Sequence, residues 1–227
     1  MIDLGIMAST PKRISSGVVS AQYVGTSFYD TAALSYSYTV VVDSLYDIIV
    51  LAPITENKIW STPMDLGNVT FDSTVLTPKL YYGNVSSPSA IYTLTGVSPG
   101  SYTVVVTYLS ECARAGLVYW KMQGALLTPH DTAATHSYSG TGASVSLDIP
   151  GNGIAFYTYT VGNHNVGISI SGAGTDFNAN FPTEKLTSAA LGRTTIDGAT
   201  RNAHQISASH SNSTQPMVLI AASFAPS

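Results

Sequence analysis

One region of the chain, residues 89–123, constrains the fold more than any other. It alternates apolar and polar residues, reaches a Pro-Gly turn signal, and resumes as an aromatic and β-branched run that contains YTVVV. Alternation on both sides of a glycine-containing turn predicts a β-hairpin between residues 91–95 and residues 102–109. Residues 117–122 follow as a third predicted strand. Three strands that share an apolar face can be stable together, whereas an isolated hairpin is only marginally stable.

The side-chain period of a strand assigns these residues to two faces. Alternate residues of the second strand, among them Tyr102, Val104 and Val106, fall on one face of the hairpin. The predicted core consists of these three residues together with Leu117, Tyr119 and Ile154.

The rest of the chain also consists of short β-favouring runs separated by turn signals. Residues 36–42 and 46–51 are two β-favouring runs separated by an Asp-Ser turn, which predicts a second hairpin. Residues 124–143 are polar and contain glycine, so they are predicted to form a long surface loop. Residues 172–203 are also predicted to be mostly loop, with one short helical turn at residues 184–191.

Short strands separated by regular turn signals predict an all-β protein with an antiparallel β-sandwich. The long connections between the predicted hairpins favour a jelly roll, with an Ig-like sandwich as the alternative. We predict a single sandwich domain over residues 17–227, preceded by an extended N-terminal arm over residues 1–16.

Charge is unusually scarce in this chain and excludes some partners. Only 10% of the residues are charged, and the formal net charge is −4. The few Lys and Arg residues are scattered, so we expect no nucleic acid partner. The longest apolar stretch, residues 40–52, is interrupted by Asp43 and Asp47, so we expect no membrane span.

The arm contains more apolar side chains than a solvated tail requires. Gly5 and Pro11 interrupt any regular period, so the arm cannot build a core of its own. We predict that it binds a partner, by adding to the sheet edge of a neighbouring subunit. A strand added to the chain's own sheet is the alternative. The predicted partner-binding residues are Ile2, Leu4, Ile6 and Met7.

No arrangement of side chains predicts catalysis. None of the five histidines stands in a metal-binding motif, and the Gly-x-Ser-x-Gly spacing of a nucleophile elbow is absent. The single cysteine, Cys112, is interpreted as a half-buried structural thiol. We therefore predict no enzyme activity, no catalytic residues and no cofactor.

Asp176, Asn178 and Asn180 place oxygen atoms at alternate positions, as the first ligands of a calcium loop do. The sixth position of such a loop should be Gly and is Phe181, and the twelfth should be Glu and is Thr187. We predict no metal and keep this segment as the only calcium candidate. Among the aromatic residues, Trp60 and Tyr82 are candidates for stacking on a glycan, although their spacing favours the core.

The order of predicted strands resembles a family of phage and prophage structural proteins built on a jelly-roll-type sandwich. The resemblance lies in residues 69–82, 90–94, 99–107, 116–124, 145–159 and 216–226, which end in a short apolar strand close to the C-terminus. It implies a virion component that decorates or cements the capsid, or forms part of a head or tail fibre. It implies no catalytic residues.

The expected function is therefore that of a structural virion protein. Its expected partners are capsid or tail subunits and further copies of itself, with a trimer favoured because its closed symmetry protects sheet edges. The alternative from another class is a carbohydrate-binding module or receptor-binding tip that uses exposed tyrosines and residues 124–143. A hydrolase is the third and weakest reading, because the acidic residues and histidines form no recognisable catalytic set. The fold by itself does not choose among the three.

Overall fold

A computed structural model describes residues 17–45, 47–57, 63–162, 167–180, 188–211 and 216–227. These residues form sixteen strands, all paired antiparallel, which confirms the predicted all-β class. In the described chain, no helix has the length and apolarity needed to cross a membrane. The strands are Ser20–Tyr29 (β1), Ala33–Val42 (β2), Ile48–Asn57 (β3), Leu66–Phe71 (β4), Thr74–Val75 (β5), Leu80–Tyr82 (β6), Ser89–Leu94 (β7), Gly100–Gln123 (β8), Asp131–Ser137 (β9), Gly142–Ile149 (β10), Ile154–Val161 (β11), Ile168–Ser171 (β12), Gly174–Asn180 (β13), Ser188–Thr195 (β14), Arg201–His210 (β15) and Met217–Phe224 (β16).

The longest strand, β8, organises the largest sheet. Its 24 residues pair along one edge with β1 and β2, and along the other edge with β3 and β4. Cys112 shows this arrangement at one point, because it pairs with Ala33 of β2 on one side and with Asn57 of β3 on the other. One continuous segment therefore supplies the hydrogen-bond partners for one edge of each of four strands.

β8 bends near its middle, and the bend changes which side chains point inward. The ladders with β2 and β3 both change register between residues 107 and 114, where β8 has extra residues. An inserted residue shifts the side-chain alternation of the strand beyond it. Val104, Val106 and Tyr108 face one core before the bend, and Ala115 and Leu117 face the same core after it. The eight-stranded sheet thereby curls around its own apolar interior.

A second core joins this curled sheet to a five-stranded middle sheet of order β13-β14-β11-β16-β9. Val118, Trp120 and Met122 of β8 pack there against the apolar residues of β11 and β16, including Phe156. We call it the central core. The opposite face of β11 and β16 packs on a three-stranded outer sheet of order β10-β15-β12. Because both faces are covered, β11 and β16 are buried along their whole length.

The predicted hairpins are wrong. β7 pairs with β3 and β6 instead of β8, and β2 and β3 each pair with β8 instead of with each other. Likewise β10 and β11, joined by the tight turn at residues 150–153, belong to different sheets. A turn signal specifies that the chain reverses direction, but it does not specify which strand the returning segment will pair with.

The two long predicted loops are also wrong. Residues 124–143 contain β9, and residues 172–203 contain β13, β14 and the start of β15. Of the predicted helical turn, residues 188–191 lie in β14 and the remainder lies outside the described residues. β9 consists of small and polar residues, and β13 has Phe177 as its one large apolar residue, so these edge strands lack the apolar alternation that marks a strand with one face in a core.

The predicted core is largely confirmed. Val104, Val106, Leu117 and Ile154 are buried, whereas the two tyrosines of the set, Tyr102 and Tyr119, are only partly buried. The hydroxyl of Tyr102 donates a hydrogen bond to the carbonyl of Ser98 at 2.8 Å, so its polar end lies at the surface.

Val104→Ala should lower the free energy of unfolding by about 1–3 kcal/mol, because it removes buried methyl groups and leaves a cavity. Val105→Ala is the matched control, since Val105 lies next to Val104 but on the partly exposed face. Urea unfolding of both variants measures the difference. Equal effects of the two substitutions would contradict the assigned faces of β8.

Candidate functional site

Two sheet edges meet at a group of exposed aromatic rings. β6 is an edge strand of the curled sheet, and β9 is an edge strand of the middle sheet. The Tyr82 hydroxyl and His136 Nδ1 share a hydrogen bond across the gap, and their ring centroids are 5.3 Å apart. Tyr138, just beyond β9, contacts His136 edge to face, also with centroids 5.3 Å apart. We call Tyr82, His136 and Tyr138 the aromatic edge cluster.

Strand register places these rings together. Residues opposite each other in an antiparallel pair have side chains on the same face. His136 pairs with Val218, whose side chain lies in the central core, so His136 faces the same gap at its rim. On the other side of the gap, Tyr82 of β6 packs against the central core. The cluster is therefore the solvent-facing continuation of the core that joins the two sheets.

Exposure increases outward along the cluster. Tyr82 is half-buried, His136 is exposed, and the Tyr138 side chain is 59% exposed. Thr132 and Ala134, which precede His136 at alternate positions of β9, are exposed as well. At about 3.3 Å per residue, the strip from Thr132 to Tyr138 is about 20 Å long. It combines aromatic faces with small and hydrogen-bonding side chains.

In the calcium candidate, the carboxylate of Asp176 already forms an ion pair with Arg193. Asp176 Oδ2 accepts hydrogen bonds from Trp120 Nε1 at 2.9 Å and from the Arg193 guanidinium at 2.5 Å. Asn178 Nδ2 donates to the carbonyl of Ile168 at 3.0 Å, and the side chain of Asn180 lies outside the described set. Over the described ranges, no three His, Cys, Asp or Glu side chains are grouped to hold a metal ion. The arrangement links β8 to the middle sheet.

Several predicted site residues lie outside the described residues. They are the glycan candidate Trp60 and the four arm residues Ile2, Leu4, Ile6 and Met7. Of the two aromatic candidates, Tyr82 is therefore the one that the structure places, and it belongs to the aromatic edge cluster.

Cys112 lies at the bend of β8 and is fully buried, more deeply than predicted. The Tyr36 hydroxyl donates a hydrogen bond to the carbonyl of Thr31 at 2.8 Å, and the carbonyl of Cys112 lies 3.2 Å from the same hydroxyl. Burial raises the pKa of the Cys112 thiol to about 12. The thiol is therefore protonated at neutral pH, and since the thiolate is the reactive form, Cys112 is suited to a structural role.

His136 and the contacts of Tyr138 are not predicted by the sequence. Both residues fall in the segment predicted to be a loop, although that segment was included in the alternative carbohydrate-binding hypothesis. Their spacing does indicate a strand, because Thr132, Ala134, His136 and Tyr138 occur at alternate positions. Because none of the first three is a large apolar residue, this period was not recognised as a strand.

Similarity to known proteins assigns no family to this chain. No family model matches it, and no curated protein is significantly similar to it. Its function is therefore inferred from the strand arrangement and from the chemistry of its exposed residues.

Asp176→Ala should lower the free energy of unfolding by about 1–3 kcal/mol, because the Trp120 N–H and the Arg193 guanidinium lose their shared acceptor. Asp197→Ala, at an exposed carboxylate, is the control and should have little effect.

Thermal unfolding with and without calcium chloride also tests the calcium candidate. We expect no calcium-dependent shift, and a stabilisation by calcium that Asp176→Ala abolishes would contradict this expectation.

Proposed function

We propose that this protein is a non-enzymatic structural component of a virion. It would decorate or cement the capsid, or form part of a head or tail fibre, by associating with itself and docking on neighbouring subunits. The observation that carries this proposal is the uncharged edge of β2. The strand order and the outer surface of the protein give further support.

β2 has the character of an interaction edge. It pairs with β8 on one side, and within the described ranges no strand pairs with its other side. None of its ten residues is charged or proline, the residues that usually protect a sheet edge from pairing. Leu34 and Val41 are 53% and 43% exposed, which adds apolar surface along this strand.

The backbone of β2 is oriented to receive another strand. The Tyr29 hydroxyl donates a hydrogen bond to the carbonyl of Ser37, so this carbonyl points away from β8. Alternate residues of a strand direct their N–H and C=O groups to the same side. Thr39 and Val41 therefore present backbone donors and acceptors on the outer side, where an added strand from a neighbouring subunit can bind them.

The strand order of residues 131–224 supports a jelly-roll sandwich over the Ig-like alternative. Numbered along the chain, the eight strands of a jelly roll form one sheet from strands 1, 8, 3 and 6 and another from strands 2, 7, 4 and 5. β9, β16, β11 and β14 follow the first order, and β10, β15 and β12 follow the second. β13 departs from it, because it extends the first sheet beyond β14. Jelly rolls are common in viral capsid proteins.

The outward face of the three-stranded sheet is suited to contacts that do not depend on charge. Serine occupies several of its exposed or partly exposed positions on three neighbouring strands, and the hydroxyls of Ser144 and Ser207 are 2.8 Å apart. Such a surface can form hydrogen bonds with a neighbouring subunit without the desolvation of ions. The serines on this face are Ser144, Ser146, Ser169, Ser171, Ser207 and Ser209.

The resemblance to phage and prophage structural proteins agrees with these features. In this proposal, residues 1–16 of one copy supply the strand that adds to β2 of a neighbouring copy or of a capsid or tail subunit. A ring of such contacts closes most simply with three copies, and closure protects the edges. The protein would then be located in the virion.

Val41→Lys should weaken self-association, because it places a charge on the β2 edge, where a paired strand would have to bury it. Val75→Lys is the matched control, since Val75 is 62% exposed on β5, at another edge of the same sheet. Sedimentation velocity of the full chain over a range of concentrations measures the monomer fraction, and co-sedimentation with the native particle measures docking.

We expect Val41→Lys to raise the monomer fraction and to reduce docking, while Val75→Lys behaves as the unmodified chain does. A full chain that stays monomeric at every concentration and does not bind the particle would contradict the proposal. Equal effects of the two lysines would contradict the role of β2.

A further inference from the structure

We infer that the aromatic edge cluster binds carbohydrate, and that its ligand is a neutral glycan with pyranose rings. This inference goes beyond the proposed assembly function, because it concerns β6 and β9 and makes no use of the β2 edge. It rests on the exposure of Tyr138, on the contacts that fix the three rings, and on the absence of ionic side chains in residues 132–138.

Tyr138 provides the stacking surface. Its side chain is 59% exposed, and among the described residues its one ring contact is the edge-to-face contact with His136. The face of an aromatic ring carries negative potential, whereas the C–H groups on one face of a pyranose are slightly positive. A sugar ring can therefore pack flat on Tyr138 while its hydroxyl groups remain at the periphery.

The cluster is held in place before any ligand arrives. Tyr82 lies on a strand and packs against the central core, and its hydroxyl bonds to His136 Nδ1. His136 in turn contacts the Tyr138 ring at an interplanar angle of 89°. This chain of contacts connects the exposed ring to the rigid interior. Preorganised rings improve affinity because less conformational freedom is lost on binding.

The polar groups of the strip favour an uncharged ligand. Residues 132–138 contain no Asp, Glu, Lys or Arg. The nearest carboxylate along the chain, Asp131, accepts hydrogen bonds from the backbone N–H groups of Thr132 and Asp148, each at 2.7 Å. Hydroxyl and imidazole groups thus remain to bind sugar hydroxyls, as expected for a site with a few placed polar groups beside an apolar surface.

A peptide strand added along β9 is the competing occupant, and the geometry favours it less. Because Asp131 accepts the N–H of Thr132, a backbone donor at the start of this strand is already used within the chain. A peptide strand would also bind through the backbone edge and would make no use of the exposed face of Tyr138. A ligand that stacks uses the exposed ring of the cluster, whereas an added strand does not.

Isothermal titration calorimetry of the full chain tests the inference with three probes: maltohexaose, cellohexaose and the hexamer of N-acetylglucosamine. We expect at least one of them to bind. Tyr138→Ala should weaken that binding about tenfold or more, which corresponds to about 1.4 kcal/mol. Tyr138→Phe keeps the ring and should retain most of the affinity. Leu126→Ala is the control, because it removes an exposed apolar side chain outside the cluster.

Three results would overturn the inference. The first is that none of the three sugars binds at millimolar concentration. The second is binding that persists unchanged in Tyr138→Ala. The third is that a peptide of residues 1–16 binds at the cluster, with its affinity reduced by Tyr138→Ala, while the sugars do not bind. Unchanged far-ultraviolet circular dichroism and an unchanged thermal unfolding midpoint show that each variant is folded. Self-association, measured separately with Val41→Lys, reports on the assembly function alone.

Discussion

The structure depends on one strand that is long enough to serve as the pairing partner of four others. Residues 100–123 form β8 without interruption, and β1, β2, β3 and β4 all pair with it. A sheet built on so long a strand would be flat and open, but the bend near Cys112 turns it and shifts its alternation. One half of β8 then helps to enclose the apolar interior of the curled sheet, and the other half also contributes to the central core.

The central core determines where the exposed surfaces lie. Trp120 contacts Phe156 across it, and Asp176 and Arg193 extend the link between β8 and the middle sheet. With the sheets held face to face, β6 and β9 meet at their rim and bring Tyr82 to His136. The β2 edge is formed on the other side of β8, opposite to β3. The proposed assembly edge and the proposed glycan site are thus separate consequences of the same packing.

The sequence predicts the strands of this fold better than their partners. Alternation and β-branched residues identify the strands around Val104, and continuous apolar character identifies β16, because in both cases burial requires apolar side chains. Pairing depends on which distant segment covers which face, so β2 and β3 could not be recognised as the two neighbours of β8. The candidate site was predictable only in part: Tyr82 was recognised by residue type, but His136 lies on an edge strand whose small residues leave no apolar period.

Reactivity of the single thiol, Cys112, tests the role of the β8 bend most directly. Because burial raises its pKa to about 12, compared with 9.0 for an ordinary thiol, its contribution to stability is present below the ordinary pKa and is lost as the pH rises toward 12. The measurement is the rate of labelling by a disulfide reagent from about pH 7 to about pH 9, for folded and urea-unfolded chain. We expect the unfolded chain to react faster as the pH rises and the folded chain to react only as fast as it unfolds. Rapid labelling of the folded chain at about pH 8 would show that the bend is open to solvent and would contradict this description of the fold.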